Sequence, residues 1–521
     1  MVTDAEARKK TLEYFSGNEL ATNVFFKYAL RDKKGVLLEA TPDDMHDRMA
    51  AALYRADSKY QNHMSYEQIR ALLDGFKKVV PQGSVMYGLG NDFVHVSLSN
   101  CFVVKSPDDT IASILNTARS MALLFKMRGG CGVDLTNLRP EGTRTNNAAQ
   151  TSTGAWSFAD FYSYVTRMIG MAGRRGAAMI SLDVKHPDIV KFVTMKIDRT
   201  KVTGANISVR LRDDFMKAVE NGDKYTLQWP VDADEPQVSE EIDARELWAT
   251  ISETAASTAE PGLLFWDTMT SLMPSDCYDE LKTITVNPCA EIGMSEDSCR
   301  LISICLKDFV IEPYTVDARF DFESFEATIK QTVRLADDIV DLEVEKLQAK
   351  IDSADTDEEK KLYQIYLDAA LAGRRVGIGT HGLADVLCQM TLKYGGEDAL
   401  VFADRLYEKL KIAAFTESVK LAQERGAFPL FDWKQEKDCE FYESFPRQLL
   451  KQMKKYGRRN VGLLTNAPTG SVSILSRVDG SGVEPFFRLE WTRRKKLNHD
   501  EVGAEGDYTT DDLGDRWIEF N

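Results

Sequence analysis

The sequence has few of the features that mark a metal-binding or disulfide-rich protein. Its 521 residues include only six histidines and eight cysteines, and no two of the cysteines form a C-x-x-C pair. Thiols scattered in this way do not build a disulfide framework or a structural zinc site. We therefore expect no resident metal ion and a reducing compartment, the cytoplasm.

Long apolar runs and an excess of positive charge are also missing. The first residues, MVTDAEARKKTLEYF, lack the apolar core of a secretion signal, and no apolar run is long enough to span a bilayer. With 81 acidic and 65 basic residues, the formal net charge is −16, whereas binding to nucleic acid requires a basic surface. The sequence predicts no membrane and no nucleic-acid partner, although a pocket can still bind a nucleotide.

The chain contains enough apolar residues to form a large hydrophobic core. Hydrophobic residues make up 43% and charged residues 28% of the chain, as in globular proteins. A chain of this length forms two or three subdomains or one large α/β barrel. Residues 1–90 show helical apolar periodicity and predict an N-terminal helical module. Beyond them, strand-like and helix-like segments alternate, which indicates parallel βα units in residues 91–521.

The run NPCAE at residues 287–291 carries the strongest chemical signal. If this segment is extended, side chains alternate between its faces, so Asn287, Cys289 and Glu291 point the same way. A thiol, a carboxylate that can accept a proton and a hydrogen-bonding amide then share one small volume. The alternative is a buried cysteine with incidental neighbours, because cysteine often packs as a small apolar residue.

Three other segments have the composition of turns. The glycines in MRGGCG, Gly129 and Gly130, let the backbone approach a ligand closely. Small and hydroxyl-bearing residues at 468–473 precede an apolar run, a pattern suited to binding phosphate through backbone N–H groups. Residues 374–385, RRVGIGTHGLAD, predict a glycine-rich turn that leads into a helix.

These motifs occur together in one order along the chain: the SNC strand end, MRGGCGVDLTNLRPEG, GRRGAAMISLDVKHPDI, NISV, NPCAEI, RRVGIGTHGLAD, and APTGSVSIL followed by SGVEP. The set resembles the catalytic (large, or alpha) subunit of ribonucleotide reductases over roughly residues 20–495. The resemblance is closest to the adenosylcobalamin-dependent class II type and to small phage-type class I alpha subunits. It implies a ten-stranded α/β barrel in residues 91–521, with its finger loop around Cys289.

The resemblance gives the thiols and their neighbours roles in thiyl-radical chemistry. Cys289 matches the thiyl-radical residue, Glu291 the general base for the 3′-hydroxyl, and Asn287 a residue that holds substrate hydroxyls. Cys101 and Cys299 match the thiols that close to a disulfide as the 2′-hydroxyl leaves. The substrate is expected to contact Asn100, Gly129, Gly130, Pro468, Thr469, Gly470, Ser471, Val472 and Ser473.

Effectors and partners follow from the same resemblance. The expected effector-binding residues are Asp108, Arg174, Arg175, Arg199 and Lys201, with a solvated helix end as the alternative for the adjacent arginines. The expected ligands are a ribonucleoside di- or triphosphate as substrate and deoxyribonucleoside triphosphates or ATP as effectors. The expected partners are a thioredoxin- or glutaredoxin-type reductant and a second copy of the chain in a homodimer.

The resemblance implies two alternative sources for the radical on Cys289. One is adenosylcobalamin bound to this chain, and the other is a dimetal small subunit, with no cofactor in this chain. After SGVEPFFRLEWTRRKKL the expected last barrel strands and cysteine-bearing tail do not follow, so these strands are either missing or supplied by a complementing C-terminal chain. A viral gene, a non-catalytic nucleotide-binding paralogue and one half of a split reductase are further alternatives.

Overall fold

The computed structural model describes residues 3–171, 174–488, 490, 492–496, 509–510 and 516–520. Helices and strands interleave along these ranges. The α-helices are α1 (Asp4–Tyr14), α2 (Glu19–Phe26), α3 (Pro42–Asp57), α4 (Tyr66–Leu73), α5 (Gly83–Gly88), α6 (Ile111–Lys126), α7 (Ala155–Met168), α8 (Ile189–Thr194), α9 (Asp213–Asn221), α10 (Ala244–Thr258), α11 (Trp266–Ser271), α12 (Phe322–Asp352), α13 (Asp357–Gly373), α14 (Leu383–Gln389), α15 (Glu397–Arg425), α16 (Trp433–Glu436), α17 (Arg447–Tyr456) and α18 (Val472–Ser476). The strands are β1 (Val79–Pro81), β2 (Cys101–Val103), β3 (Gly130–Asp134), β4 (Gly170–Met171), β5 (Arg174–Arg175), β6 (Ala178–Asp183), β7 (Asn206–Leu211), β8 (Lys224–Trp229), β9 (Val238–Asp243), β10 (Gly262–Phe265), β11 (Thr285–Val286), β12 (Gly293–Met294), β13 (Ser298–Cys305), β14 (Val310–Ile311), β15 (Arg319–Phe320), β16 (Val376–His381), β17 (Arg493–Lys496), β18 (Thr509–Thr510) and β19 (Arg516–Phe520).

Eight strands join into one curled mixed sheet. Its hydrogen-bonded order is β1, β13, β2, β3, β6, β7 and β10, and β16 also pairs with β13. The neighbours β2, β3, β6, β7 and β10 run parallel, because helices cross over between successive strands. This confirms the predicted parallel βα units. Among the described residues the sheet has eight strands, compared with ten in the prediction.

The segment predicted as a glycine-rich turn, residues 374–385, is instead the buried strand β16 followed by α14. A Cβ atom on Gly377 would lie 2.6 Å from the side chains of Leu301 and Thr465. A Cβ atom on Gly379 would lie 2.2 Å from the Thr465 carbonyl oxygen. The turn prediction was wrong because these glycines allow close packing between strands and do not reverse the chain.

Two apolar cores flank the sheet. Helices α1 to α5 pack with α12, α15 and β13 around the first core, and α3 begins at a capping box formed by Thr41 and Asp44 with Pro42 in its first turn. The second core lies among α6 to α10, α13 and strands β3, β6 and β7. The boundary at residue 90 stays a prediction, since the N-terminal helices share their core with later elements.

A buried ion cluster connects the long helices. Asp337 on α12 accepts hydrogen bonds from Arg374 after α13, at 2.8 Å, and from Arg425 at the end of α15, at 2.9 Å. Arg459 contacts the same carboxylate at 3.1 Å. Burial raises the pKa of Asp337, but the charges of Arg374 and Arg459 outweigh it and lower that pKa to about 2. The cluster therefore holds an ionised carboxylate in the interior.

Two observations bear on metals and membranes. Among the described residues, one group of three side chains has metal-ligand spacing, formed by Asp43, His46 and Asp74. Arg70 already pairs with both aspartates, at 2.9 and 2.8 Å. No helix in the described ranges combines the length and apolar character needed to cross a bilayer.

Candidate active site

A cleft of about 280 Å³ lies where the loop between β11 and β12 meets the sheet and the segment before α18. It brings together residues from the N-terminal helices, β2, β3 and the region near residue 470. The lining residues used below are Tyr28, Gln82, Asn100, Cys101, Arg128, Gly130, Pro288, Cys289, Glu291, Pro468, Thr469, Gly470, Ser471 and Val472.

Residues 287–291 form the tip of a β-hairpin, not an extended strand. β11 and β12 pair antiparallel, and the Ala290 N–H donates to the Asn287 carbonyl oxygen at 3.0 Å. Proline at the second position of such a turn presets its backbone, so Asn287-Pro288 favours a reversal of the chain. The expected alternation of side chains was therefore wrong: Cys289 is exposed at the tip, whereas Asn287 is buried and Glu291 half-buried.

Asn287 holds Glu291 and Cys101 together behind the cleft wall. Its Nδ2 donates to Glu291 Oε2 at 2.6 Å and to Cys101 Sγ at 3.0 Å. Its Oδ1 accepts from the Ile292 N–H at 3.2 Å, which fixes the orientation of the amide. Cys101 Sγ also lies 3.8 Å from Glu291 Oε1. The amide, the carboxyl group and one thiol thus form a single hydrogen-bonded group.

The surroundings favour the uncharged forms of these groups. Burial raises the pKa of Glu291 above its usual value, against the hydrogen bond from Asn287. Burial and the negative charge of Glu291 raise the pKa of Cys101 well above that of an ordinary thiol. Burial raises the pKa of Cys299 to about 12. Both thiols therefore keep their hydrogens at neutral pH, and the carboxyl group is able to take up a proton.

The sheet places Cys101 on β2 directly opposite Cys299 on β13. Opposed Cα atoms in antiparallel strands lie about 4.5–5.5 Å apart, within the roughly 4.4–6.8 Å that a disulfide spans. Gly377 leaves room for the second thiol, because a Cβ atom there would lie 2.8 Å from Cys299 Sγ. Two thiols that are distant in the chain thus occupy positions compatible with a disulfide.

A buried carboxylate, Glu343, fixes the strand that carries Cys101. It accepts hydrogen bonds from the Ser97 hydroxyl, from the Leu98 N–H at 2.5 Å and from the Ser99 hydroxyl at 3.1 Å. Ser99 Oγ also lies 3.2 Å from Ser298 Oγ, within hydrogen-bond distance. This network connects the residues before β2 to the start of β13, so it fixes the strand ends that carry the two thiols.

Seven of the nine expected substrate contacts line the cleft. Gly130 lies against the hairpin tip, where a Cβ atom would come within 2.8 Å of Pro288 Cγ. Gly129 lies outside the lining, and a Cβ atom there would be 2.2 Å from the Phe102 ring. Ser473 is buried in the first turn of α18 and donates its N–H to the Thr469 carbonyl oxygen at 2.8 Å. The seven are Asn100, Gly130, Pro468, Thr469, Gly470, Ser471 and Val472.

The sequence reasoning missed Arg128, which lines the cleft beside Gly130. This residue is 6% exposed, and its guanidinium lies 4.0 Å from the centre of the Tyr87 ring. Its φ of +71° is rare for a residue other than glycine. A basic residue directly before a glycine pair was the available signal, since anionic ligands favour arginine. Tyr28 and Gln82 also line the cleft, and their sequence context gave no signal.

The expected effector residues lie outside the cleft lining. Asp108 is exposed and pairs with Lys105 at 3.2 Å. Arg199 is exposed, and Lys201 Nζ lies 5.2 Å from the ring centre of Trp156. The side chains of Arg174 and Arg175 lie outside the described part of the chain, although their backbone forms β5.

The loop at residues 197–206 contacts the hairpin tip. Asn206, at the start of β7, donates from Nδ2 to the Pro288 carbonyl oxygen at 3.2 Å. A second cavity, of about 230 Å³, lies under this loop and is lined by residues 203–206 and Lys196. Ala177 lines both this cavity and the cleft. The loop is therefore hydrogen-bonded to Pro288, the residue that precedes Cys289.

Comparison with known families and proteins identifies relatives of the chain. Residues 99–513 match the family described as "Ribonucleotide reductase, barrel domain". The chain is 31% identical over 473 residues to a vitamin B12-dependent ribonucleoside-diphosphate reductase of Mycobacterium tuberculosis, covering 90% of this chain and 61% of the relative. It is 26% identical over 440 residues to a Monkeypox virus ribonucleoside-diphosphate reductase large subunit, covering 76% and 54% of the two chains.

The fold is similar to that of the class Id ribonucleotide reductase alpha subunit of Actinobacillus ureae. The TM-score is 0.67 at 20% sequence identity, covering 91% of this chain and 76% of that chain. The present chain spans about three fifths of the length of the mycobacterial relative. The predicted family and its barrel fold are confirmed. The chain belongs to the ribonucleotide reductase large-subunit barrel-domain family.

Proposed function

We propose that this chain is the catalytic subunit of a ribonucleotide reductase, reducing ribonucleoside di- or triphosphates to deoxyribonucleotides by thiyl-radical chemistry. One observation carries the proposal: three thiols and one carboxyl group meet at the cleft. Cys101 is hydrogen-bonded with Asn287 and Glu291 and lies opposite Cys299. Cys101 faces the cleft, and the Cys289 thiol is exposed at the rim of the same cleft. A paralogue that only binds nucleotides has no need of this arrangement of three thiols around one carboxyl group.

The cleft has groups suited to each part of a ribonucleotide. The backbone at residues 470–472 enters α18, and the first N–H groups of a helix have no acceptor within the helix. These N–H groups receive the phosphates, while Arg128 offers a cation at the same cleft. Glu291 faces the ribose hydroxyls, and Asn287 behind it keeps the carboxyl group oriented.

The reduction then uses the three thiols in two roles. Cys289, as a thiyl radical, removes the hydrogen atom from ribose C3′, and Glu291 accepts the proton of the 3′-hydroxyl. The C2′–O bond breaks and its oxygen leaves as water. Cys101 and Cys299 supply two electrons and two protons as an S–S bond forms between them: one proton completes the water, and a new C2′–H bond forms. Glu291 returns its proton to the 3′-oxygen. The hydrogen atom finally returns from Cys289 to C3′.

Cys289 is the group on which the radical source acts. Its exposed thiol fits a source that approaches from outside the cleft. Adenosylcobalamin, when bound, supplies the radical that takes the hydrogen atom from Cys289, and relatives named vitamin B12-dependent support this source. A dimetal small subunit is the second candidate, supported by the similarity to viral large subunits.

Effector binding near Asp108, Arg199 and Lys201, together with Arg174 and Arg175, completes the proposal. A deoxyribonucleoside triphosphate or ATP bound there shifts the loop at residues 197–206. The hydrogen bond from Asn206 to Pro288 passes that shift to the catalytic hairpin. This is allosteric coupling between two distinct sites.

Two protein partners belong to the same proposal. A thioredoxin- or glutaredoxin-type protein reduces the Cys101–Cys299 disulfide after each turnover, in a reducing compartment such as the cytoplasm. A second copy of the chain covers the exposed apolar side chains on α6 and α7, because a patch of this kind marks an interaction surface. They are Ile111, Leu115, Tyr164 and Met168.

The test is an activity assay of the purified chain with ribonucleotide, a dithiol and adenosylcobalamin, with and without a candidate radical-generating or complementing polypeptide. We expect deoxyribonucleotide from the wild type and none from Cys289→Ala, with nucleotide affinity unchanged. Cys388→Ala is the matched control, since this exposed cysteine lies outside the cleft lining. Product from Cys289→Ala, or nucleotide binding without turnover in every combination, contradicts the proposal.

A further inference from the structure

Two cysteines outside the cleft, Cys277 and Cys439, are brought together by the fold. Their thiols lie close enough for one to hydrogen-bond to the other, although the residues are distant in the chain. Cys277 ends the short 3-10 turn Pro274–Cys277 and is half-buried. Cys439 follows α16 and is 7% exposed. Nothing in the local sequence around either cysteine indicates that they meet.

Further hydrogen bonds hold the two segments against each other. The Tyr278 hydroxyl donates to Glu436 Oε1 at 2.6 Å, three residues before Cys439. The Ser271 hydroxyl donates to Glu440 Oε2 at 3.1 Å, and the Ser271 carbonyl oxygen lies 3.9 Å from Cys439 Sγ. Contacts on both sides of each thiol therefore fix the position of the pair independently of the thiols themselves.

We propose that Cys277 and Cys439 form a second redox-active dithiol, separate from Cys101 and Cys299, that closes by exchange with a low-molecular-weight disulfide of the glutathione type. Both S–H bonds break and one S–S bond forms between the two sulfur atoms. Two electrons and two protons pass to the external disulfide, which is released as two thiols. The Sγ atoms approach to about 2.05 Å through rotation of the two side chains.

The chemistry of the pair suits this exchange. The hydrogen bond from Cys277 lowers the pKa of Cys439, and the thiolate is the form that attacks a disulfide. The half-buried Cys277 gives an external disulfide access to the pair. Cys305 offers a contrast, because it is fully buried and burial raises its pKa to about 12. The pair therefore combines an accessible thiol, Cys277, with a partner thiol, Cys439, of lowered pKa: the hydrogen bond between them raises the pKa of Cys277 and lowers that of Cys439.

The disulfide fixes the base of the catalytic hairpin. Asp276, next to Cys277, accepts hydrogen bonds from the N–H and hydroxyl of Thr283 at 2.9 and 2.7 Å. Thr283 lies two residues before β11, the first strand of the hairpin. Cys439 belongs to the first apolar core. Closing the disulfide therefore ties the entrance of the hairpin covalently to that core.

The experiment equilibrates the full chain in glutathione redox buffers, alkylates the remaining thiols and maps peptides by mass spectrometry. We expect a cross-linked peptide pair that contains Cys277 and Cys439 and forms with a single midpoint. Hydrogen exchange of residues 271–286 should slow in the oxidised form. Cys277→Ser and Cys439→Ser should each abolish the cross-link, whereas Cys388→Ser, the matched control, should leave it unchanged.

The double variant Cys101→Ser/Cys299→Ser excludes a contribution of the cleft thiols to the measurement. In this variant the Cys277–Cys439 cross-link should persist. Complete alkylation of Cys277 and Cys439 across the whole buffer series overturns the inference. So does a glutathione adduct on Cys277 that never converts to the cross-link. The inference does not depend on the proposed reductase activity, because the thiol state is measured directly and without turnover.

Discussion

Two carboxyl groups of this chain, the buried Asp337 and the half-buried Glu291, have opposite surroundings. Asp337 contacts Arg374, Arg425 and Arg459, and these charges lower its pKa to about 2 despite its burial. Glu291 is held by the amide of Asn287 and the thiol of Cys101, both uncharged, and burial raises its pKa.

This difference separates a carboxylate that stabilises the fold from a carboxyl group that can exchange a proton. Several cations keep Asp337 ionised, so it acts as a fixed anion that joins helices. Burial raises the pKa of Glu291 and its partners are uncharged, so this carboxyl group takes up a proton more readily than Asp337 does, as a general base requires. We therefore expect changes at the cleft to affect turnover and changes at the ion cluster to affect stability.

The largest expected effect comes from Cys101→Ser. A serine hydroxyl still accepts a hydrogen bond from Asn287 but cannot form a disulfide with Cys299, so multiple turnover should be lost completely. The free energy of unfolding should change by less than about 1 kcal/mol, since the two side chains are similar in size. Deoxyribonucleotide formation and urea unfolding measure the two quantities. Wild-type turnover by this variant would rule out the reductant role of Cys101.

Glu291→Gln should lower kcat by roughly 10²–10⁴-fold, the usual range for loss of a general base. Glutamine keeps the shape of the side chain and can still accept a hydrogen bond from Asn287, so stability should stay within about 1 kcal/mol of the wild type. Steady-state kinetics and urea unfolding test both expectations. If stability falls while kcat is unchanged, Glu291 belongs with Asp337 as a structural carboxylate, and the comparison fails.

Much of this site was predictable from sequence because short motifs fix local chemistry. The SNC and NPCAE segments named Cys101, Asn287, Cys289 and Glu291, and the antiparallel pairing of β2 and β13 placed Cys299 opposite Cys101. The parallel βα units were also predicted, because hydrophobic periodicity is a local property.

The rest depended on contacts between distant parts of the chain. Glycine spacing at residues 377–379 looked like a turn, although its cause is the approach of Leu301 and Thr465. The close approach of Gly129 to the ring of Phe102 was likewise not indicated by the local sequence. The meeting of Cys277 and Cys439 had no local signal at all. Tertiary packing decides such positions, and a single sequence does not display it.

Asp337→Asn should have the largest effect on stability. Loss of this anion leaves three buried guanidinium groups with less compensating charge, and breaking a buried ion pair costs about 3–5 kcal/mol. Urea unfolding measures the loss, and kcat of the folded fraction should be unchanged. Asp341→Asn is the matched control: this half-buried aspartate on the same helix pairs with Arg374 at 2.7 Å, so its loss should cost less. Equal losses in both variants would contradict the central position of Asp337.

The acid dependence of stability gives the smallest expected effect. The folded-state pKa of Asp337, about 2, lies below its ordinary value of 3.8. Its ionisation therefore stabilises the fold fully above pH 4, and this contribution is lost as the pH falls towards 2. The shift corresponds to roughly 2 kcal/mol.

The stability gap between the wild type and Asp337→Asn should consequently narrow by that amount between pH 5 and pH 2, measured by urea unfolding at each pH. The sign is opposite at Glu291, whose raised pKa makes the protonated carboxyl group the form that the fold favours. Glu291→Gln should therefore lose any advantage over the wild type as the pH falls. A gap for Asp337→Asn that stays constant or widens in acid would show that the arginines do not hold this carboxylate ionised, and the contrast between the two regions would disappear.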